Sequence, residues 1–281
     1  MRALAAHGIP GLDETDVAAG RHTHTLAAPG GPARVTVTLD DGADHVACEI
    51  TAAPTDVPWV GATVRRWLDL DHEPGPIDAH LATDAALAPL VAARPGLRVV
   101  GSTDPWATAV TTVLGQQVSV AAARTFAGRV VTAFGTGGGG DGTAGGTAAF
   151  PSPAALAAVD PVHLAATVGL TGARARTVHA LAEAVAGGLL LQPGDGLDGL
   201  DGADLAGIRT RLLALPGIGP WTVDYLALRA LGDRDACPSG DLVLRRALGR
   251  DRRGVEAASQ RWRPWRAYAV SHLWAQAAYA G

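Results

Sequence analysis

Two periods of apolar residues run along the chain and divide it. From Arg34 to Leu39, Val35, Val37 and Leu39 alternate with polar positions; from His45 to Ile50, Val46, Cys48 and Ile50 do the same. A period of two marks a half-buried strand, and Asp40-Asp41-Gly42 between the segments reads as a turn. The pattern predicts an antiparallel hairpin, with His22 to Leu26 as a further strand. Beyond it the spacing lengthens to three and four. Helices are predicted over Val60 to Leu68 and Ile77 to Ala93, closed by Arg94-Pro95-Gly96. Asp104-Pro105 then supplies a cap and a first-turn proline ahead of an apolar face made by Trp106, Val110, Val113 and Val120. Ala154 to Leu164 and Arg174 to Gly187 continue the helical pattern, and Leu205, Ile208, Leu212 and Leu215 carry it to a helix end at Pro216. These elements make an α+β chain: a small N-terminal antiparallel β/α domain over residues 1–98, then an all-α domain over 99–281. Gly135 to Thr147 has eight Gly in thirteen residues and reads as a disordered surface excursion; Asp195 to Asp204 reads as a Gly/Asp loop.

The densest chemistry lies between Leu213 and Leu248. Gly217 and Gly219 admit backbone conformations closed to other residues, and Pro220 suits a first helical position, where its missing N–H would be unpaired anyway. The result is a tight helix-hairpin-helix whose exposed amides and helix dipole make a seat for an anion such as phosphate. An ordinary helical hairpin with a glycine turn has the same signature, so this motif alone leaves both readings open. Trp221 and Tyr225, four apart, share a helix face with Leu228. Most aromatics at that spacing are core; beside a phosphate seat they are also placed to stack on a base turned out of a duplex. In Pro238-Ser239-Gly240-Asp241, Ser239 reads as an N-cap and Asp241 as a first-turn carboxylate that favours the helix dipole. Gln116-Gln117 interrupts an apolar pattern and, on residue type alone, is a pair of exposed amides at a helix end.

Composition changes this picture in three places. With 281 residues, 48% of them apolar, the chain can bury a substantial core. Its formal charge of −4 does not suggest a nucleic-acid partner, yet Arg245 to Arg266 holds eight Arg against Asp251 and Glu256. That local surplus suits either a solvated face or contacts to phosphates. No Lys occurs anywhere, and Cys48 and Cys237 stand far apart, which indicates neither a disulfide framework nor a zinc site of cysteines. His22, His24, His45, His72 and His80 show no ligand spacing and are expected at the surface. No segment approaches the length needed to span a bilayer, so a soluble cytoplasmic protein is expected.

Three ordered blocks then carry a resemblance. Leu215-Pro216-Gly217-Ile218-Gly219, Trp221-Thr222, Tyr225 and Asp241 resemble the helix-hairpin-helix signature of the HhH-GPD superfamily of DNA glycosylases, in the branch of the inducible bacterial 3-methyladenine DNA glycosylase, DNA-3-methyladenine glycosylase II. Val113 to Val120 and Trp262 to Ala269, followed by His272-Leu273-Trp274, are similar to two further motifs of that branch. The N-terminal likeness is weaker: Leu4 to Gly11 looks like the end of the family's first helix. On that reading the family's opening strand is missing, and the position of a pocket aromatic falls on Ala3.

The resemblance implies a bacterial, nucleoid-associated, monomeric enzyme that binds double-stranded DNA, flips an alkylated base of the 3-methyladenine or 7-methylguanine type and hydrolyses its glycosidic bond. It implies Asp241 as the catalytic carboxylate, a base pocket of Trp221, Tyr225 and Trp274, and a wedge at Gln116 and Gln117, with Gln117 filling the gap left by the base. Leu215, Pro216, Gly217, Ile218, Gly219 and Thr222 would form the DNA-binding hairpin, and Ser119, Arg245 and Arg246 would contact phosphates. Carbonyls of Leu213, Leu215 and Ile218 are the expected donors to a structural Na+ or K+; no cofactor is otherwise required, and two Cys cannot hold the iron–sulfur cluster of some relatives. Bifunctional relatives attack the sugar through a Lys two residues after the second hairpin glycine, where this chain has Trp221, so a monofunctional enzyme is expected. Asp224 is a secondary candidate carboxylate. A glycosylase for oxidised or mispaired bases and a non-catalytic binder of damaged DNA remain the alternatives.

Overall fold

A computed structural model describes residues 1–40, 45–136, 148–191 and 202–279. Helix α1 (Arg2–His7) leads into an antiparallel sheet in chain order, β1 (Asp13–Asp16), β2 (Arg21–Ala28), β3 (Gly31–Thr38) and β4 (Ala47–Thr51). β2 and β3 are joined at Pro29-Gly30, Ala28 pairing with Gly31, and Asp56 Oδ2 accepts the Gly30 N–H at 2.9 Å. The predicted strands are all present, and Val35 and Val37 lie on a fully buried face. Two expectations fail here. Cys48 is exposed and Ile50 only half-buried, because β4 is an edge strand that is largely uncovered on both faces. β1 was not expected, since Asp-Glu-Thr-Asp has no apolar alternation; its partners are supplied by β2. Of the expected turn, Asp41 and Gly42 lie outside the described residues.

The rest is helical: α2 (Val57–Trp67), α3 (Pro74–Leu81), α4 (Ala88–Ala93), α5 (Pro105–Leu114), α6 (Val120–Phe134), α7 (Pro153–Ala157), α8 (Pro161–Val168), α9 (Gly172–Ala186), α10 (Gly202–Leu213), α11 (Pro220–Arg229), α12 (Leu242–Leu248), α13 (Arg252–Ser259) and α14 (Arg266–Tyr279). The single helix predicted over Ile77 to Ala93 is broken. Thr83 donates its hydroxyl to the His80 carbonyl, and Asp84 turns inward to accept the Ala86 amide and, at 2.8 Å, the indole N–H of Trp262. Ala154 to Leu164 is likewise split, because Asp160 caps a new helix by accepting the amides of Val162 and His163. Val120 does not extend the α5 face: the chain reverses at Gln117, where φ is +56°, and Val120 starts α6 half in solvent. Residues 137–147 of the glycine-rich stretch lie outside the described residues, as do 195–201 of the predicted loop; Gly202 to Asp204 open α10 instead.

Contacts divide the chain into two compact units, residues 1–63 with 109–189, and residues 64–108 with 190–281. In the first, α1 packs on α6 and β1, and α9 packs on α7 and α8 around Leu156, Leu164, Val168, Val178 and Leu181. His22 and His24 are buried in this unit against Asp13, contrary to the expectation of surface histidines. In the second, α14 packs on α12 and α4, and Leu81, Leu87, Leu228, Leu244, Val255, Trp262, Tyr268 and Leu273 form one core. Each such side chain contributes about 1.5–3 kcal/mol on burial, so the framework behind α11 and α12 is stiff. Buried Asp69 ties the same unit together, pairing with Arg234 at 2.8 Å and His72 at 2.9 Å while accepting the Val99 amide.

Candidate active site

The hairpin between α10 and α11 is built as its sequence requires. Ile208 and Leu212 bury one face of α10, which ends at Leu213, before the predicted end at Pro216 because the chain turns at Ala214. Buried Ile218 anchors the turn, its amide donating to the Leu215 carbonyl at 3.2 Å, and Thr222 is buried one turn on. Gly217 has φ +79°, a left-handed conformation that disfavours any side chain with a Cβ. Gly219 differs from the expectation: its φ of −105° is ordinary, and no atom lies within 4 Å of where a Cβ would sit. What glycine provides there is open space over the backbone. The amides of Gly219 and Trp221 donate to nothing among the described residues, and Pro220 has none, so the hairpin presents unpaired donors at the positive end of α11.

Asp241 is the N-cap of α12, a role the sequence had pointed to in Ser239. Its Oδ1 accepts the amides of Val243 at 2.9 Å and Leu244 at 3.1 Å, which fixes the carboxylate at the helix mouth. The same oxygen accepts the indole N–H of Trp274 at 3.2 Å, and Oδ2 accepts that of Trp221 at 3.1 Å. Capping and display of the carboxylate are therefore one arrangement. Oδ1 takes three donors and Oδ2 one, leaving Oδ2 the oxygen with acceptor capacity to offer.

The indoles that hold Asp241 belong to an aromatic stack. Trp221 and Tyr225 are stacked with centroids 5.4 Å apart, and Tyr225 and Trp274 are tilted at 5.7 Å; all three are half-buried. Sequence reasoning missed Arg229. Its guanidinium lies 5.2 Å over the Trp274 ring and 5.9 Å over Tyr225 and donates to the Val100 carbonyl. The signal was present, since Arg229 follows Tyr225 by four on the same helix face. The guanidinium in that position makes a cation–π contact with both rings.

Asp224 lies away from this cluster. It pairs with Arg209 and lines a different cavity, of about 590 Å³, with Asp233, Asp235 and Cys237. Burial pushes its carboxyl up from the usual range, against the opposing pull of Arg209. Around Asp241 the basic run separates into two groups. Arg263 and Arg266 both grip Asp235 at 2.7 Å, and Arg261 approaches Asp84 at 3.5 Å. Arg245, Arg246, Arg250, Arg252 and Arg253 are exposed and make no ion pair among the described residues. Gln116, Gln117 and Ser119 belong to the other compact unit. There Gln117 is exposed at the tip of the α5–α6 turn, Arg174 donates to the Gln116 carbonyl, and Ser119 caps α6 by accepting the Ala122 amide at 3.2 Å.

A family model for the AlkA N-terminal domain matches residues 1–104, and one for the HhH-GPD superfamily of base excision DNA repair proteins matches residues 110–261. A Mycobacterium tuberculosis protein named "probable bifunctional transcriptional activator/DNA repair enzyme AlkA" is 42% identical over 96% of this chain, which spans 53% of that protein. The Escherichia coli protein named DNA-3-methyladenine glycosylase 2 is 33% identical over 92% of the chain and 83% of its own length. A structure described as the 3-methyladenine DNA-glycosylase of Archaeoglobus fulgidus superposes with a TM-score of 0.79 over 100% of this chain and 94% of its own, at 18% identity, a likeness of fold.

Proposed function

Because the chain belongs to the HhH-GPD superfamily, in its AlkA-type branch, we propose that it is a monofunctional DNA glycosylase that flips alkylated bases from duplex DNA and hydrolyses them away in base-excision repair. The observation that carries this reading is the carboxylate of Asp241, held by two indole N–H groups at the edge of an aromatic stack. A purine methylated at N3 or N7 bears positive charge, is attracted by the faces of Trp221, Tyr225 and Trp274, and leaves as a neutral base without a strong general acid. As its glycosidic bond breaks, positive charge develops on the sugar; Asp241 stabilises it and orients water toward it. Extrusion of the base costs a few kcal/mol, which phosphate contacts to the Gly219 and Trp221 amides and to Arg245, Arg246 and Ser119 offset, while Gln117 with Gln116 fills the gap. With no Lys in the sequence and Trp221 where bifunctional relatives carry one, no Schiff base forms and the product is an abasic site.

No cofactor enters these steps. The neutral carbonyls of Leu213, Leu215 and Ile218 suit a hard monovalent cation, Na+ or K+, in a purely structural role at the hairpin. The protein acts as a monomer on the bacterial chromosome, and no described helix is long and apolar enough to cross a membrane. A non-catalytic binder would have Asp241 turned away from the aromatics, against the 3.1 and 3.2 Å contacts that hold it there.

The decisive experiment measures free 3-methyladenine and 7-methylguanine released from alkylated DNA by the wild type and by Asp241→Asn. Asparagine caps a helix as well as aspartate, so the variant keeps its fold. Release should fall by about a hundredfold or more while binding to damaged DNA persists. Equal release by both proteins would sink the assignment of Asp241, and no release by either would turn the reading toward a binder.

A further inference from the structure

Asp13, His22 and His24 take no part in the chemistry above, yet they form the tightest cluster of potential ligand atoms among the described residues. Asp13 sits directly opposite His24 in the β1–β2 ladder, and His22 lies two residues away on β2, so the pleat puts all three on one face. Asp13 Oδ1 is 3.1 Å from His22 Nε2 and 2.7 Å from His24 Nδ1, and one donor atom from each residue lies within 4.8 Å of the other two. Both histidines are buried, 2% and 7% exposed, and the Asp13 side chain is 9% exposed. Among the described residues no Arg pairs with this carboxylate. Both imidazoles stand at hydrogen-bond distance from it, so this buried carboxylate is balanced by imidazole N–H groups or by a metal ion taking their place.

We propose that Asp13 Oδ1, His22 Nε2 and His24 Nδ1 form a structural site for one divalent transition-metal ion of the zinc type, which clips the short edge strand β1 to β2.

The donor set suits that class of ion. Two imidazoles with one carboxylate favour zinc and its neighbours over calcium or magnesium, which take oxygen ligands, and water completes a tetrahedron. Tetrahedral zinc at ordinary bond lengths separates its ligands by about 3.3 Å; the Asp13 contacts, now 2.7 and 3.1 Å, would open toward that value, and the two imidazole donors, within 4.8 Å of each other, would settle to it. The outer contacts are also in place. Thr15 Oγ1 lies 2.7 Å from His22 Nδ1, where with a metal on Nε2 it would accept the Nδ1–H and hold that tautomer; the Ile9 amide donates to Asp13 Oδ2 at 2.5 Å. Binding a metal releases any imidazole proton present, so affinity falls in acid. The site is independent of the glycosylase reading.

The test is zinc titration of the metal-stripped full chain carrying Cys48→Ser, with an exposed thiol thereby removed as a competing ligand, against a chromophoric chelator. One equivalent should bind at about 1 μM or tighter, with a higher melting temperature, and Co2+ should give the visible bands of tetrahedral nitrogen–oxygen ligation. His22→Gln and Asp13→Asn should abolish stoichiometric binding, and Thr15→Val should weaken it about tenfold. Absence of stoichiometric zinc together with an unchanged melting temperature in the parent protein would overturn the proposal, a result that does not depend on any site variant folding. Full binding in both ligand variants would overturn it as well.

Discussion

At Asp241 the proposed chemical duty meets a structural one in one carboxylate, and substitutions separate them. Asp241→Asn keeps an acceptor for the Val243 and Leu244 amides but loses the one for the Trp221 indole, so its melting temperature should fall slightly, by the equivalent of about 1 kcal/mol. Asp241→Ala removes the cap and the acceptor for both indoles, and denaturant unfolding should show a loss of about 2 kcal/mol. His272 offers a second measurement. It is wholly buried on α14, and burial lowers its pKa from the ordinary value. The unfolded chain therefore binds the proton more readily. Stability is fully present above about pH 6.5 and falls as pH drops from there toward the lower folded-state pKa. Urea unfolding at pH 6.5 and 5.5 should show this decline, and His272→Gln should flatten it. Cys237, whose thiol burial pushes up to about 11, should resist a thiol reagent at pH 8 in the native protein while exposed Cys48 reacts. At this scale the candidate carboxylate was legible in sequence but its cap was assigned two residues early. Ser239 and Asp241 are both good caps, and only the path of Pro238 to Asp241, closed by the Asp241 amide on the Pro238 carbonyl at 2.8 Å, decides between them.

The two hairpin glycines make different demands on their element. Gly217→Ala should cost about 1–2 kcal/mol of stability, because alanine is strained at φ +79°. Gly219→Ala should leave the melting temperature nearly unchanged, since its backbone is ordinary and its surroundings empty, but should weaken duplex binding measured by fluorescence anisotropy. If Gly219→Ala bound DNA like the wild type, the hairpin backbone would not be the phosphate seat. Existence and type of α2, α5, α9 and α10 followed from apolar spacing, which each carries within itself, whereas α6, α13 and α14 were not read from it. The helix breaks at Thr83-Asp84 and Asp160 did not follow from it either, because a break depends on which side chain captures which amide; at Asp84 the capture is completed by Trp262, 178 positions away.

For the molecule as a whole, the net charge of −4 hides a division of labour among the arginines. Arg261, Arg263 and Arg266 neutralise internal carboxylates, whereas Arg245, Arg246, Arg250, Arg252 and Arg253 face solvent. DNA binding should weaken steeply with salt, and Arg245→Ala with Arg246→Ala should reduce the slope of log K against log salt by about 1.8, or 0.9 for each lost phosphate contact. An unchanged slope would remove α12 from the DNA-binding face.

The sequence alone determined the α+β class, the glycine hairpin, the aromatic positions on α11 and the absence of a lysine nucleophile, since periodicity, turn chemistry and residue inventory are local or global properties of the string. Tertiary structure alone decided the rest. It set Asp241 beside Trp221 and Trp274, 20 and 33 positions away, and turned Asp224 toward Arg209. It laid Arg229 over the aromatic stack and brought Asp13 to His22 and His24 across a strand pairing. Such contacts depend on how buried faces pack, and packing joins residues whose spacing along the chain carries no signature.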